Sequence, residues 1–233
     1  MSILTGGYPA EYGRKLGGVI EVVTAANPRE GVHGSAVASV GSFATASGGG
    51  AVQYGWSRTL LGISGSAAHT DRYLDPPVEE NFTNTGTGSN VALQFEREFS
   101  DTDRLGVVIR HGQSSFLVPN ERVQEDAGQR QGRSRHDTTG VFSYQRVVSS
   151  SVVADLRAMV RSVGAGLSSN AASTPIAAFQ DRGFSETYVK GTVAGHAGPH
   201  EWKAGVDANF GSVRPSAWRG SVLAPRESSA PHP

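Results

Sequence analysis

The sequence predicts an all-β chain, an antiparallel β-barrel wall of about nine strands of the kind that crosses a membrane. Three observations predict it. From Val32 to Phe210, apolar side chains recur at every second position in successive segments. The connections between segments alternate between short turns and long polar loops. Aromatic residues gather near the segment ends rather than their middles. A wall with lipid on one side and a polar lumen on the other needs that period-2 alternation, and its turns are short on one rim and long on the other.

Composition agrees. The chain has 233 residues, of which 37% are hydrophobic, and no run approaches the roughly 18 consecutive apolar residues of a membrane helix. The 30 glycines suit tight turns and close strand packing. Lys+Arg and Asp+Glu balance at 21 each, so charge offers no argument for nucleic acid as a partner. The absence of cysteine removes disulfides and thiolate chemistry.

The segments follow in order. The first, Val32 to Phe43, sets Val32, Ala36, Ala38 and Val40 against His33, Ser35 and Ser39. The second opposes Val52, Tyr54 and Trp56 to Gln53 and Ser57, and the third, from Leu60 to about Arg72, presents Leu61, Ile63 and Ala67. After a polar loop at 73–89, the fourth places Val91, Leu93, Phe95 and Phe99 opposite Gln94, Glu96 and Glu98. The fifth carries Leu105, Val107 and Ile109. A second long loop spans Pro119 to Arg135. The sixth segment then sets Phe142 and Tyr144 against Ser143 and Gln145, and the seventh sets Val152, Ala154, Leu156, Ala158 and Val160 against Asp155, Arg157 and Arg161. The third long loop runs over 164–182. The eighth segment, Phe184 to Ala194, opposes Val189 and Val193 to Glu186 and Lys190. The ninth opposes Trp202, Ala204, Val206, Ala208 and Phe210 to Lys203, Asp207 and Asn209. Val108 and Met159 interrupt the polar face, and Arg97 interrupts the apolar one near a turn, where a long side chain can snorkel.

Trp56, Phe99, Tyr144 and Trp202 lie on the apolar face beside the short turns, the position of interfacial aromatics. Phe43, Tyr73, Phe116 and Phe210 lie near the opposite ends. Glu96, Glu98, Arg110, Asp155, Arg157, Arg161, Lys190, Lys203 and Asp207 would line the interior, chiefly pairing across strands. Ligand contacts are expected from the loops at 73–89, 119–133 and 164–182.

Other motifs dissolve on inspection. His196 and His200 flank Gly198-Pro199 in a turn rather than share a helix face, so no metal is expected. Ser134, Arg135, His136 and Asp137 are neighbours on a strand and point to alternating faces, so they cannot converge as a catalytic group. The glycines near 85–88 lack a strand-to-helix context, and Asn81-Phe82-Thr83 is a chance glycosylation match. No enzyme activity and no cofactor are expected.

Ahead of the barrel pattern stands PAEYGRKLGGVIEVVT. Its Tyr12, Gly13, Arg14, Gly17, Gly18, Val19, Ile20, Val22, Val23 and Thr24 resemble the plug-to-barrel junction of TonB-dependent outer-membrane receptors. VPNERVQEDAGQRQ and HEWKAGVDANF also resemble receptors of this class, particularly those with a carboxypeptidase-regulatory-like leading domain. The resemblance implies a short plug-derived N-terminal segment over 1–24, a linker at 25–31 and the first part of the receptor barrel over 32–213, so that the nine strands form a partial, unclosed barrel. The Pro/Ser/Arg-rich stretch 214–233 reads as a disordered or non-native tail. It further implies residence in the bacterial outer membrane with lipid as partner, a 22-stranded plugged barrel in full-length relatives, uptake of a large scarce nutrient there, and coupling to the TonB complex. No signal peptide precedes the motif, so the chain reads as a piece of a receptor, not transport-competent alone. The rival readings are a complete eight-to-ten-stranded barrel with a structural or adhesive role, a barrel hydrolase and a soluble β-sandwich.

Overall fold

The computed structural model describes residues 2–4, 19–21, 30–174, 176–214 and 221–222. Its body is one nine-stranded antiparallel sheet. The strands are β1 (Gly31–Val40), β2 (Ala46–Trp56), β3 (Thr59–Thr70), β4 (Gly86–Glu98), β5 (Asp103–Leu117), β6 (Gln131–Ser149), β7 (Val152–Ser169), β8 (Gln180–Ala197) and β9 (His200–Arg214). Each pairs only with its sequence neighbours, so the sheet is a plain up-and-down meander. β1 and β9 are its two edges and do not pair with each other; the sheet is not closed. Two short pairings stand apart from it: Ser2–Leu4 with Val19–Glu21, and Ile176–Ala177 with Ser221–Val222.

All nine segments expected from the alternation are strands, but their upper ends lie elsewhere. β4 begins at Gly86, β6 at Gln131 and β8 at Gln180, and β7 continues to Ser169. The long loops are therefore 71–85, 118–130 and 170–179, shorter than the 73–89, 119–133 and 164–182 expected. The reason is chemical. The added strand residues, such as Ser134, Arg135 and His136, are polar on both faces, so no hydrophobic rhythm marks them. Their backbone ladder continues regardless, with Ser134 opposite Gly166 and Arg135 opposite Ala165.

At the other rim the links are tight: 57–58, 99–102, 150–151 and 198–199. Ser57 belongs to the first of these, not to the polar face of β2. Ser57 and Arg58 both have positive φ, 36° and 65°. A two-residue hairpin favours that backbone because its twist matches the strands', although side chains other than Asn and Gly adopt it at a cost. A single bulge between Val147 and Ser149 breaks the register at the end of β6.

The described residues form no second layer over the sheet. Among the described residues the only buried hydrophobic side chains are Leu60 and Ala177, while Val32 is 69% and Val206 74% exposed. A water-soluble sandwich would bury one face of each sheet against another; here nothing among the described residues covers the face bearing Trp56, Phe99 and Trp202.

Replacing Ser57 and Arg58 by Asn and Gly should stabilise the β2–β3 hairpin by about 0.5–1 kcal/mol by relieving the left-handed strain. The exposed Arg58–Asp101 ion pair that is lost contributes little. A rise in the urea midpoint of the refolded chain checks this; a fall would show that the ion pair outweighs the turn.

Candidate functional site

The two faces of the sheet carry the chemistry, and the register shows how they are arranged. One row runs across all nine strands: Val32, Tyr54, Leu61, Phe95, Val107, Phe142, Ala158, Val189 and Ala208. Every member is apolar or amphipathic. Four residues further toward the long loops, another row begins apolar or small and ends polar: Ala36, Gly50, Gly65 and Val91, then His111, Thr138, Ser162, Ser185 and Ser212. Toward the short turns the order is reversed. β2 and β3 have already ended at the Trp56–Thr59 pair, while β8 and β9 continue through Val193–Ala204 and Gly195–Trp202.

The apolar surface is therefore a belt that crosses the strands obliquely, and both of its edges shift in the same direction. The turn edge moves from Trp56–Thr59 to Glu98–Arg104, then to Ser149–Val152 and Ala197–His200. That is about one residue per strand. With a rise of about 3.3 Å per residue and strands about 4.8 Å apart, such a stagger inclines the belt by about 35° from the perpendicular to the strands. On β9 the belt spans Trp202 to Phe210, about 26 Å along the strand and about 22 Å after projection at that tilt.

Trp56, Phe99 and Trp202 sit on the belt's turn edge, all partly exposed. Tyr144 lies in the same register row as Trp56 and donates its hydroxyl to Asp103 Oδ1. Arg97, the one cation inside the row pattern, lies with its guanidinium over the Phe99 ring, 5.3 Å from its centroid.

The opposite rim differs from expectation. Phe210 is on the apolar face, but Tyr73 and Phe116 turn to the polar face and stack on each other, with centroids 4.7 Å apart and planes at 16°. The stack exists because Gly86 has no side chain: a Cβ there would lie 2.3 Å from the Tyr73 ring.

On the polar face, cross-strand pairing organises many of the charges. Arg104 donates to Glu96 at 2.6 Å, Gln145 to Asp155 at 3.1 Å and Asn209 to Glu186 at 2.8 Å, and Arg161 is paired with Asp137. Val108 and Met159 are not isolated interruptions. They fall in one row with Val141 and Tyr188, so four adjacent strands form an apolar ridge between charged rows. Sequence reading missed the ridge because each strand contributes only one member.

The three long loops are tied together above this face. Asn120, almost fully buried, donates to Gln129 O at 2.8 Å and to Glu125 Oε2 at 3.0 Å. Asn170 Oδ1 accepts from Arg130 N at 3.0 Å, and its Nδ2 donates to Gly128 O at 2.8 Å. Asn84, also buried, clamps Leu74 through both backbone groups. Arg122, on the short helix α1 (Arg122–Asp126), pairs with Glu80 at 2.5 Å and lies over Phe82. That hydrogen bond holds the Glu80 carboxyl below the ordinary carboxylate range and raises Arg122.

His196 and His200 sit on either side of the β8–β9 turn, and Ser134 and His136 face the side opposite to Arg135 and Asp137. Among the described residues no three His, Asp or Glu side chains form a group that could hold a metal. Of the junction motif, Val19 and Ile20 lie in a described strand; Tyr12, Gly13, Arg14, Gly17, Gly18, Val22, Val23 and Thr24 lie outside the described residues. No family model, no curated protein and no solved structure matches this chain.

Two outcomes test the loop layer. Asn120→Ala leaves the Gln129 carbonyl without its donor and should cost about 1–3 kcal/mol locally, read as faster proteolysis within 118–130 and unchanged strand content. Because the Glu80 pKa is lowered in the folded chain, its contact with Arg122 is complete above the ordinary carboxylate value and is lost as pH falls through the lowered one. Amide protection around 80–82, corrected for the intrinsic exchange rate, should therefore fall as pH drops below the ordinary carboxylate range, and Glu80→Gln should abolish that dependence.

Proposed function

We propose that the chain is a section of an outer-membrane β-barrel wall, with the oblique belt turned to lipid and the charged face turned to the lumen. The belt carries this reading. Transmembrane strands tilt by about 35–45°, and their apolar band is about 25 Å tall; an inclination of about 35° and a projected height of about 22 Å follow here from register alone. An apolar surface of this extent in water would be an aggregation surface. Short turns on one rim, and on the other three long, mutually bonded loops beside the short 41–45 link, fit the periplasmic and external sides.

Within that class, the reading best supported is part of a TonB-dependent receptor for a large nutrient, not transport-competent by itself. Support comes from the resemblance of Tyr12 to Thr24 to a plug-to-barrel junction, placed directly before the first barrel strand. It comes also from the separated edges β1 and β9. A complete small barrel would pair those edges.

Insertion into lipid is the test. Trp202 and Trp56 fluorescence should be quenched by lipids brominated near the headgroup more than by lipids brominated at the chain ends. Ile63→Arg, in mid-belt, should cost about 2–4 kcal/mol of insertion, whereas Gln53→Arg on the other face should be tolerated. Equal tolerance of the two substitutions would reject the lipid-facing assignment.

A further inference from the structure

The polar face has a basic patch that the sequence does not announce. Arg135 on β6 and Arg182 on β8 lie in the same register row with Ala165 of β7 between them. Their Cα atoms are two strand spacings apart, about 9.6 Å, and the small alanine leaves the space between the two side chains open. Arg133, two residues along β6, faces the same way and is opposite Phe116 of the aromatic stack. All three are exposed.

The carboxylates of this region are already engaged. Asp137 is taken by Arg161, with Arg135 only at 3.8 Å, and Glu186 accepts from Asn209. Arg133 and Arg182 make no ion pair among the described residues. Guanidinium groups at this spacing suit a compact oxyanion, since each presents parallel N–H donors to two oxygens. Neutralising three neighbouring cations takes more than one negative charge.

We propose that Arg133, Arg135 and Arg182 form a binding site for a ligand bearing two or more phosphate, sulfate or carboxylate groups, at the long-loop end of the inner wall. The assignment rests on the reading of the polar face as the lumen side. The site is prebuilt by strand register and does not require loop closure, because β6, β7 and β8 hold all its members.

The full chain, refolded in detergent micelles, is titrated with tripolyphosphate at low and moderate salt, with citrate and a disulfated disaccharide as the carboxylate and sulfate arms. Binding should weaken as salt rises. Arg135→Gln combined with Arg182→Gln should lower the affinity for the preferred probe by about tenfold or more. Arg104→Gln, on the same face but engaged with Glu96, should leave it unchanged. Arg135→Lys with Arg182→Lys keeps the charge and the fold but loses the fork, so a smaller loss is expected and decides the matter if the Gln variant does not refold. No binding of any probe by a sample that enters micelles and shows strand circular dichroism would overturn the site alone. Unchanged affinity in both double variants would do the same. A chain that stays in the aqueous phase would instead reject the membrane reading.

Discussion

A single hydrogen-bonded layer with one uninterrupted apolar surface is the constraint on which the rest of this structure depends. Backbone pairing satisfies the strands internally, but nothing in the described chain covers the belt from Val32 to Ala208. Hydrophobic burial is the main favourable contribution to folding in water. A chain that buries almost no apolar side chain must obtain that contribution from its surroundings or from further strands. The two open edges add a second demand of the same kind, because each presents a row of unpaired backbone groups.

The oblique course of the belt follows from how the hairpins are staggered. Had every short turn ended in the same register row, the apolar surface would cross the strands at right angles, and the strands would stand upright in a bilayer. Instead each hairpin advances along its neighbour, so that Trp202 serves β9 where Trp56 serves β2. Strand tilt and stagger are coupled in any closed barrel. Here the same coupling is visible in an unclosed section, which makes the belt a property of local pairing rather than of closure.

Above the belt the wall changes character. β6 extends there as a strand that is polar on both faces, and loops bound by buried Asn84 and Asn120 and by half-buried Asn170 cap the sheet. Asn84 is bonded through both its amide oxygen and its amide nitrogen, and Asn120 donates twice, as buried polar groups require. This end of the sheet is held by strand pairing and by fixed loop hydrogen bonds together. Arg135 and Arg182 belong to the strand part, whereas Glu80 and Arg122 belong to the loop part and join 71–85 to 118–130.

The amino-acid pattern alone determined the nine strands, their two faces and the alternation of short and long links. Alternation along one strand is a local property, and side chains two apart share a face whatever the neighbours do. Trp56, Phe99, Tyr144 and Trp202 could be assigned to one face for that reason. Relations between strands were not legible, since they depend on register. Val108 and Met159 read as defects until Val141 and Tyr188 fell beside them. Tyr73 and Phe116 read as rim aromatics until Gly86 let them stack on the polar side. Arg135 and Arg182, 47 positions apart in number, met across Ala165 only through two successive pairings. The tertiary structure decided these because register is set by many backbone bonds acting together, and no single segment carries that information.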